Sequence, residues 1–232
     1  MVEVKAVVFD VFGTLVDWRS GVAREAARIL GGQGIVADWG GLADAWRAQY
    51  QPAMERVRSG DIPFSKLDVL HRINLDHVLG AMDIPADEAT RQELNMAWHR
   101  LDAWPDVVAG LQALRTKRLI APCSNGHIAL MVNLARRNGF VWDAILGAEL
   151  ARDYKPKLAV YQHTAAAFDL SPEQVLMVAA HSSDLAAARQ AGLKTCFVAR
   201  PAEHGPGKGE TVASVPVDCS VQGIDELARL MG

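Results

Sequence analysis

The sequence predicts an α/β protein: a doubly wound, mainly parallel sheet with a helical segment inserted after the first strand. Three observations predict it. A run of apolar, strand-forming residues, Ala6-Val7-Val8-Phe9, stops abruptly at Asp10 and a Gly13-Thr14 turn, as a strand buried on both faces of a parallel sheet does. From Trp18 to Trp104 the apolar residues recur at helical spacing. Beyond Asp106, helices and short apolar runs alternate, with polar residues at the ends of the runs, which is the pattern of a doubly wound sheet.

Taken in order, Val22, Ala26, Ile29 and Leu30 share one face of a first helix, and Gly31-Gly32-Gln33-Gly34 breaks it. A second helix is expected from Asp38 towards Val57, stopped by Ser59-Gly60-Asp61-Ile62-Pro63. A third carries Leu67, Leu70, Ile73, Leu75, Val78 and Leu79 up to Gly80, and a fourth spans 87–98. Trp104-Pro105 closes the segment. The economical division is a core of residues 1–16 and 105–232 with an inserted α-helical cap of residues 17–104. Within the core, 107–117 reads as an amphipathic helix and 119–123 as a strand ending at Ser124-Asn125-Gly126. A helix over 128–138 follows, then Trp142 to Gly147 leads into a short strand, and 158–168 is helical. The run 175–179 is a strand ending at His181, 184–191 a helix and 195–198 a strand. The Gly- and Pro-rich stretch 201–208 reads as a surface loop, and 224–231 as a closing helix.

Bulk properties narrow the function. Half of the 232 residues are hydrophobic and the formal net charge is −3, so nothing favours nucleic acid or an anionic membrane as a partner. No apolar run approaches the roughly 18 residues of a membrane span. The N-terminus, with Glu3 and Lys5 beside a short strand, has no signal-peptide character. Cys123, Cys196 and Cys219 have no metal-like spacing, and the first two sit in apolar, strand-like surroundings. A reduced, cytoplasmic protein is expected.

The residue that organises the chain is Asp10. In open α/β sheets reactive groups gather at the carboxyl ends of strands. A carboxylate there, held by turn amides and the Thr14 hydroxyl, would be ionised at neutral pH and able to attack an electrophile. Taken alone, F-D-x-x-G-T fits equally an aspartate that only caps its turn.

The run Asp10-Val11-Phe12-Gly13-Thr14-Leu15-Val16-Asp17 resembles the first motif of the haloacid dehalogenase superfamily. Most of that superfamily are phosphatases with a second aspartate where this chain has Phe12. Phe cannot protonate a leaving alcohol, and an aromatic here is similar to the (S)-2-haloacid (type II) dehalogenases. The resemblance implies a Rossmann-like core and a covalent nucleophile at Asp10. Three later segments follow in order: Cys123-Ser124-Asn125-Gly126, Tyr154-Lys155-Pro156, and Ala179-Ala180-His181-Ser182-Ser183-Asp184. Ser124 and Asn125 are implied to hold a carboxylate or halide, although S-N-G is also ordinary turn chemistry. Lys155 is implied to hold Asp10 ionised; Tyr161, which matches a tyrosine that these enzymes carry six residues further on, and Phe12 are implied to contact the substrate or halide. Asp184 is retained in the fourth segment.

His181 stands where the relatives have asparagine. It serves either the water of the second step, ordered by Asp184, or only replaces the amide. In the helical segment Trp46-Arg47-Ala48-Gln49-Tyr50 resembles a segment whose arginine binds halide or substrate carboxylate, against the plain alternative of an exposed helix arginine. Trp18, Trp98 and Trp104 either line an apolar pocket or pack in cores.

The implied activity is hydrolysis of short 2-haloalkanoic acids through an aspartyl ester, with no cofactor and no metal. One carboxylate in the fourth segment and none at residue 12 leave few hard oxygen ligands. The partners are a small 2-halocarboxylate and its halide, and a homodimer is admitted. Fluoroacetate, or a strained ring such as azetidine-2-carboxylate, is an alternative substrate. A phosphatase and a catalytically silent small-acid binding protein are the rivals.

Overall fold

The structure, a computed structural model, describes residues 3–232. The chain divides into two compact units, one of residues up to Asp17 together with Asp102–Gly232, the other Trp18–Leu101.

The first unit is built on a six-stranded sheet. Its strands are β1 (Ala6–Phe9), β4 (Leu119–Ser124), β5 (Leu146–Gly147), β6 (Val175–Ala179), β7 (Lys194–Val198) and β8 (Cys219–Val221), once β2 (Val16–Asp17) and β3 (Asp102–Ala103) are set aside as a separate antiparallel pair. The order is β5-β4-β1-β6-β7-β8, and every pairing is parallel. The doubly wound, Rossmann-like α/β class follows directly. β1 lies between β4 and β6, so the strand order reverses at its carboxyl end, where such sheets open a crevice. All four residues of β1 are fully buried, which explains why its sequence shows no alternation. Val8, Ala121, Cys123, Met177 and Phe197 build the core on one side, with Tyr161 and Leu185 packed among them.

The helices of this unit, with the five of the other unit taken first in chain order, are α6 (Val107–Arg115), α7 (Ile128–Asn138), α8 (Ala148–Ala151), α9 (Leu158–Ala166), α10 (Ser182–Gln190) and α11 (Ile224–Leu230). Helix α7 ends at Gly139, whose φ of 76° gives the left-handed cap that terminates many helices. Helix α10 starts two residues before the expected position, with His181 as its N-cap residue. The short strand β8 is not apparent in the sequence, since only Val221 of its three residues is buried.

The second unit is all helical: α1 (Trp18–Ile29), α2 (Trp39–Ala48), α3 (Tyr50–Arg58), α4 (Leu67–Ala81) and α5 (Glu88–Asn95), closed by a 3₁₀ turn over Met96–His99. The single helix expected from Asp38 to Val57 is two helices that meet at Gln49. Pro52 explains the break: it has no N–H for the Ala48 carbonyl and its ring would clash there, whereas the first turn of α3 accommodates it. Asp38 and Asp87 cap α2 and α5 by accepting from the Gly41 and Thr90 amides. Trp18, Trp46 and Trp98 form the unit's core, with Trp98 against both other rings at 6.2 and 5.5 Å. Two of the three tryptophans considered for a pocket are therefore core residues. The third, Trp104, belongs to the sheet-bearing unit, because Asp102 and Ala103 already pair with Asp17 and Val16.

Candidate active site

Asp10 directly follows β1, and its amide continues the sheet by donating to the Val178 carbonyl at 3.0 Å. The chain then turns back on itself: Leu15 and Val16 both donate to the Val11 carbonyl, at 2.9 and 3.2 Å. This turn brings Thr14 beneath the carboxylate, where its hydroxyl donates to Asp10 Oδ2 at 2.7 Å and accepts from the Ala180 amide at 2.9 Å. Thr14 thus ties the first strand end to the end of β6.

Lys155 reaches in from the loop after α8. Its Nζ lies 2.9 Å from Asp10 Oδ1 and 2.5 Å from Asp184 Oδ2. Lys155 is 6% and Asp10 7% exposed, so little solvent screens the pair. Burial disfavours the charge on Lys155, but Asp10 and Asp184 outweigh it and raise its pKa. Burial alone would likewise raise Asp10. The Lys155 charge and the hydrogen bond from His181 overcome it and hold the carboxyl far below the usual range. Asp10 is an ionised carboxylate at any physiological pH.

Asp184, on the first turn of α10, is further held by Tyr161, whose hydroxyl donates to Oδ1 at 2.5 Å. Tyr161 is fully buried. Burial first, then the Asp184 charge, raises its pKa, so it remains a donor. At the end of β4, Asn125 Oδ1 accepts from the Lys155 amide at 2.9 Å and so fixes the lysine loop. Ser124 Oγ accepts from Gly126 N at 3.0 Å. Gly126 packs so tightly that a Cβ there would meet Met131 at 2.3 Å and the Phe12 ring at 3.3 Å.

His181 does not lean on Asp184, which is the correction the structure makes to the sequence reading. Both Asp184 oxygens face Lys155 and Tyr161. The imidazole instead bridges Asp10 and Glu203: Nδ1 is 3.2 Å from Asp10 Oδ2, and Nε2 is 2.9 and 3.0 Å from the two Glu203 oxygens. Burial disfavours the imidazolium, but hydrogen bonds to Asp10 and Glu203 push its pKa up to about 10. The folded-state value lies above the ordinary 6.5, so the stability His181 contributes is complete below pH 6.5 and is lost as pH rises to about 10. Thermal melts are expected to show that loss in the wild type, and His181→Asn should flatten it; equal slopes would contradict the bridge.

The sequence marks the loop that bears Glu203, but not Glu203 as the partner of His181. Most of the expected surface loop 201–208 is exposed, but Glu203 within it turns inward and is 2% exposed, next to the buried Arg200 that precedes the loop. Arg200 donates to the Thr14 carbonyl at 2.8 Å and forks onto Asp106 with two bonds of 2.8 Å. Glu210 accepts from the Ser182 amide and hydroxyl. The one sequence signal for Glu203 is its position beyond the carboxyl end of a strand, β7.

Arg47 belongs to the helical unit. Its guanidinium stands 4.1 Å from the Tyr50 ring centre and 5.3 Å from that of Trp18. Its Nη1 has no hydrogen-bond partner among the described residues. A guanidinium flanked by aromatic faces and lacking a carboxylate is suited to an anionic ligand.

The first unit therefore presents an ionised, buried carboxylate at the switch point of a parallel sheet, with a lysine and an imidazolium on its oxygens. That arrangement can carry out nucleophilic displacement by carboxylate. Comparison with known proteins gives the family. The profile of the haloacid dehalogenase-like hydrolases matches residues 4–192, and the chain belongs to that family. A solved defluorinating L-2-haloacid dehalogenase is 42% identical with a TM-score of 0.95, covering 98% of this chain and 95% of that one. A second L-2-haloacid dehalogenase is 43% identical with a TM-score of 0.94 and 98% coverage of each chain. The L-2-haloacid dehalogenase of Xanthobacter autotrophicus, solved with chloropropionic acid covalently bound, is 25% identical with a TM-score of 0.83, covering 98% of each chain.

Proposed function

We propose that this enzyme hydrolyses short 2-haloalkanoic acids to 2-hydroxy acids through an ester on Asp10. The observation that carries the reading is the Asp10 carboxylate held ionised by Lys155 at 2.9 Å, in a chain similar to the L-2-haloacid dehalogenases. In the first step an Asp10 oxygen attacks Cα from behind the carbon–halogen bond, and halide leaves with the bonding electrons. In the second, water adds to Asp10 Cγ and the 2-hydroxy acid departs. Two moderate barriers replace one high barrier. The net reaction releases one halide and one proton.

The geometry supports a role for each residue. Thr14 and Lys155 place and ionise the nucleophile. Asp184, itself held by Tyr161, holds Lys155 directly, Asn125 holds it through its loop, and Ser124 shapes the adjoining turn. Phe12 lines the strand end with an apolar ring. We assign His181 to the water of the second step and Arg47, on the helical unit, to the substrate carboxylate or the departing halide. The chemistry needs no metal: Phe12 replaces a carboxylate, and Lys155 Nζ already bridges Asp10 and Asp184 as their shared cation. A cytoplasmic location and a homodimer belong to the same reading. Among the described residues no helix is long and apolar enough to cross a membrane.

The test is free halide released from chloro-, bromo- and fluoroacetate and from both 2-chloropropionate enantiomers, with and without EDTA. The likeness to L-2-haloacid dehalogenases supports the (S) enantiomer, and displacement from behind yields the (R)-hydroxy acid. The likeness to a defluorinating enzyme supports fluoride release as well. No halide from any of them, with Mg²⁺-dependent phosphate release from a generic ester, would establish the phosphatase alternative. Arg47→Ala should lower kcat/KM by about 10²-fold, mainly through KM, because the permanent charge assigned to the anion is lost. Wild-type kinetics would return Arg47 to a purely structural place on α2.

A further inference from the structure

We propose that Glu203 is the positioning residue that makes His181 a base, and that alkylation of Asp10 is the event that releases His181 to act as one. The inference rests on the dehalogenase reading above and adds a residue and a sequence of proton movements to it.

The geometry is specific. Glu203 is all but fully buried, 2% exposed, and both carboxylate oxygens point at His181 Nε2. Glycine at residue 13 leaves the room it occupies. A Cβ on Gly13 would lie 2.0 Å from Glu203 Oε1, and the φ of 86° is one that glycine adopts without strain. The nucleophile turn and the Glu203 loop are also held together independently, since Arg200, just before the loop, donates to the Thr14 carbonyl at 2.8 Å. A buried carboxylate on Nε2 leaves Nδ1 as the working nitrogen, the one facing Asp10.

In the resting enzyme His181 has anions on both sides, Asp10 and Glu203, and is an imidazolium that cannot take a proton. The other charged and titratable groups nearby are Lys155 on Asp10, His204 at 3.6 Å from Glu203, Arg200 on the Thr14 carbonyl and Glu210 on Ser182. When Asp10 attacks Cα, the carboxylate becomes a neutral ester and halide leaves. His181 has then lost one of its two anionic partners, and the Nδ1 proton passes to solvent. The freed lone pair takes a proton from water as its oxygen bonds to Asp10 Cγ. Collapse breaks the bond from Cγ to the substrate oxygen, which recovers that proton from Nδ1. The regenerated Asp10 acid gives its proton to His181, and the resting state returns. One water is consumed and one proton is released per turnover, as the overall reaction requires.

The experiment is rapid-quench kinetics of the full-length enzyme with (S)-2-chloropropionate across pH, measuring halide and the mass of the ester on Asp10 separately. In the wild type, ester decay should show an acid limb set by His181, and the halide burst should not. Glu203→Gln keeps a hydrogen-bond acceptor but removes the charge. It should retain a burst of one halide per site, accumulate ester, move the limb to lower pH by about one to three units and lower the decay plateau by about 10-fold or more. Glu203→Asp keeps the charge but shortens the reach, so its plateau should fall with a smaller limb shift. An unmoved limb in Glu203→Gln, an unchanged plateau, or loss of the burst amplitude would each overturn the proposal. A wild type that releases no halide at all would overturn the dehalogenase reading instead.

Discussion

Asp10→Asn is expected to abolish turnover, by about 10⁴-fold or more, while the protein still folds. The amide is nearly the same size as the carboxylate and can keep the Thr14 contact, so the turn after β1 has no steric reason to change. What it loses is the negative charge that Lys155 and His181 stabilise, and a neutral amide oxygen is a far poorer nucleophile. Isotope labelling supplies the positive half of the test. In a single turnover of the wild type in H₂¹⁸O, the label should appear in Asp10, because water attacks Cγ, and the first product should be unlabelled. Label in that first product would show water attacking Cα directly and would remove the covalent intermediate.

Lys155→Met is expected to have the next largest effect, lowering kcat/KM by about 10²–10³-fold and stability by about 3–5 kcal/mol. Nζ bridges two carboxylates, at 2.9 and 2.5 Å, in a place that solvent hardly reaches. With the cation gone, Asp10 and Asp184 remain buried together without it, and one of them binds a proton more readily. Residual activity should therefore rise with pH as Asp10 ionises. The stability difference has a defined sign as well. In the wild type the Asp10 pKa is depressed, so its contribution is complete above the ordinary value of 3.8 and is lost as pH falls below it. The gap between wild type and Lys155→Met should narrow below about pH 4 and be largest near neutrality. An equal gap at every pH would mean that Lys155 acts through packing alone.

Residues adjacent in sequence to a strand end were legible because strand geometry decides where they go. Asp10, Ser124, Asn125 and His181 each follow a buried apolar run, and a parallel sheet delivers all such ends to one edge. Thr14 was legible because a tight turn returns it to the carboxylate four residues earlier. Lys155 was visible mainly through resemblance, since no periodicity marks it. The partner of His181 was not legible. Asp184, three residues away, was the nearest carboxylate in the chain, yet the first turn of α10 directs it to Lys155 and Tyr161.

By itself, then, the sequence determined the alternation of elements, the nucleophile and its turn, and the substitution of Phe12 that argues against phosphate-ester chemistry. These are local properties: apolar run lengths, turn residues, and the inability of a phenyl ring to move a proton. Only the tertiary structure decided which charges meet. Glu203 comes to His181 from 22 residues away, and Arg200 to Thr14 from 186, through a loop whose composition suggests exposure. The place of the Glu203 carboxylate uses the room left by a missing Cβ at Gly13, and both contacts use β7 lying two strands from β1. Close approach of distant backbone segments leaves no periodic mark in a sequence, so the protonation state of His181 could be read only from the folded chain.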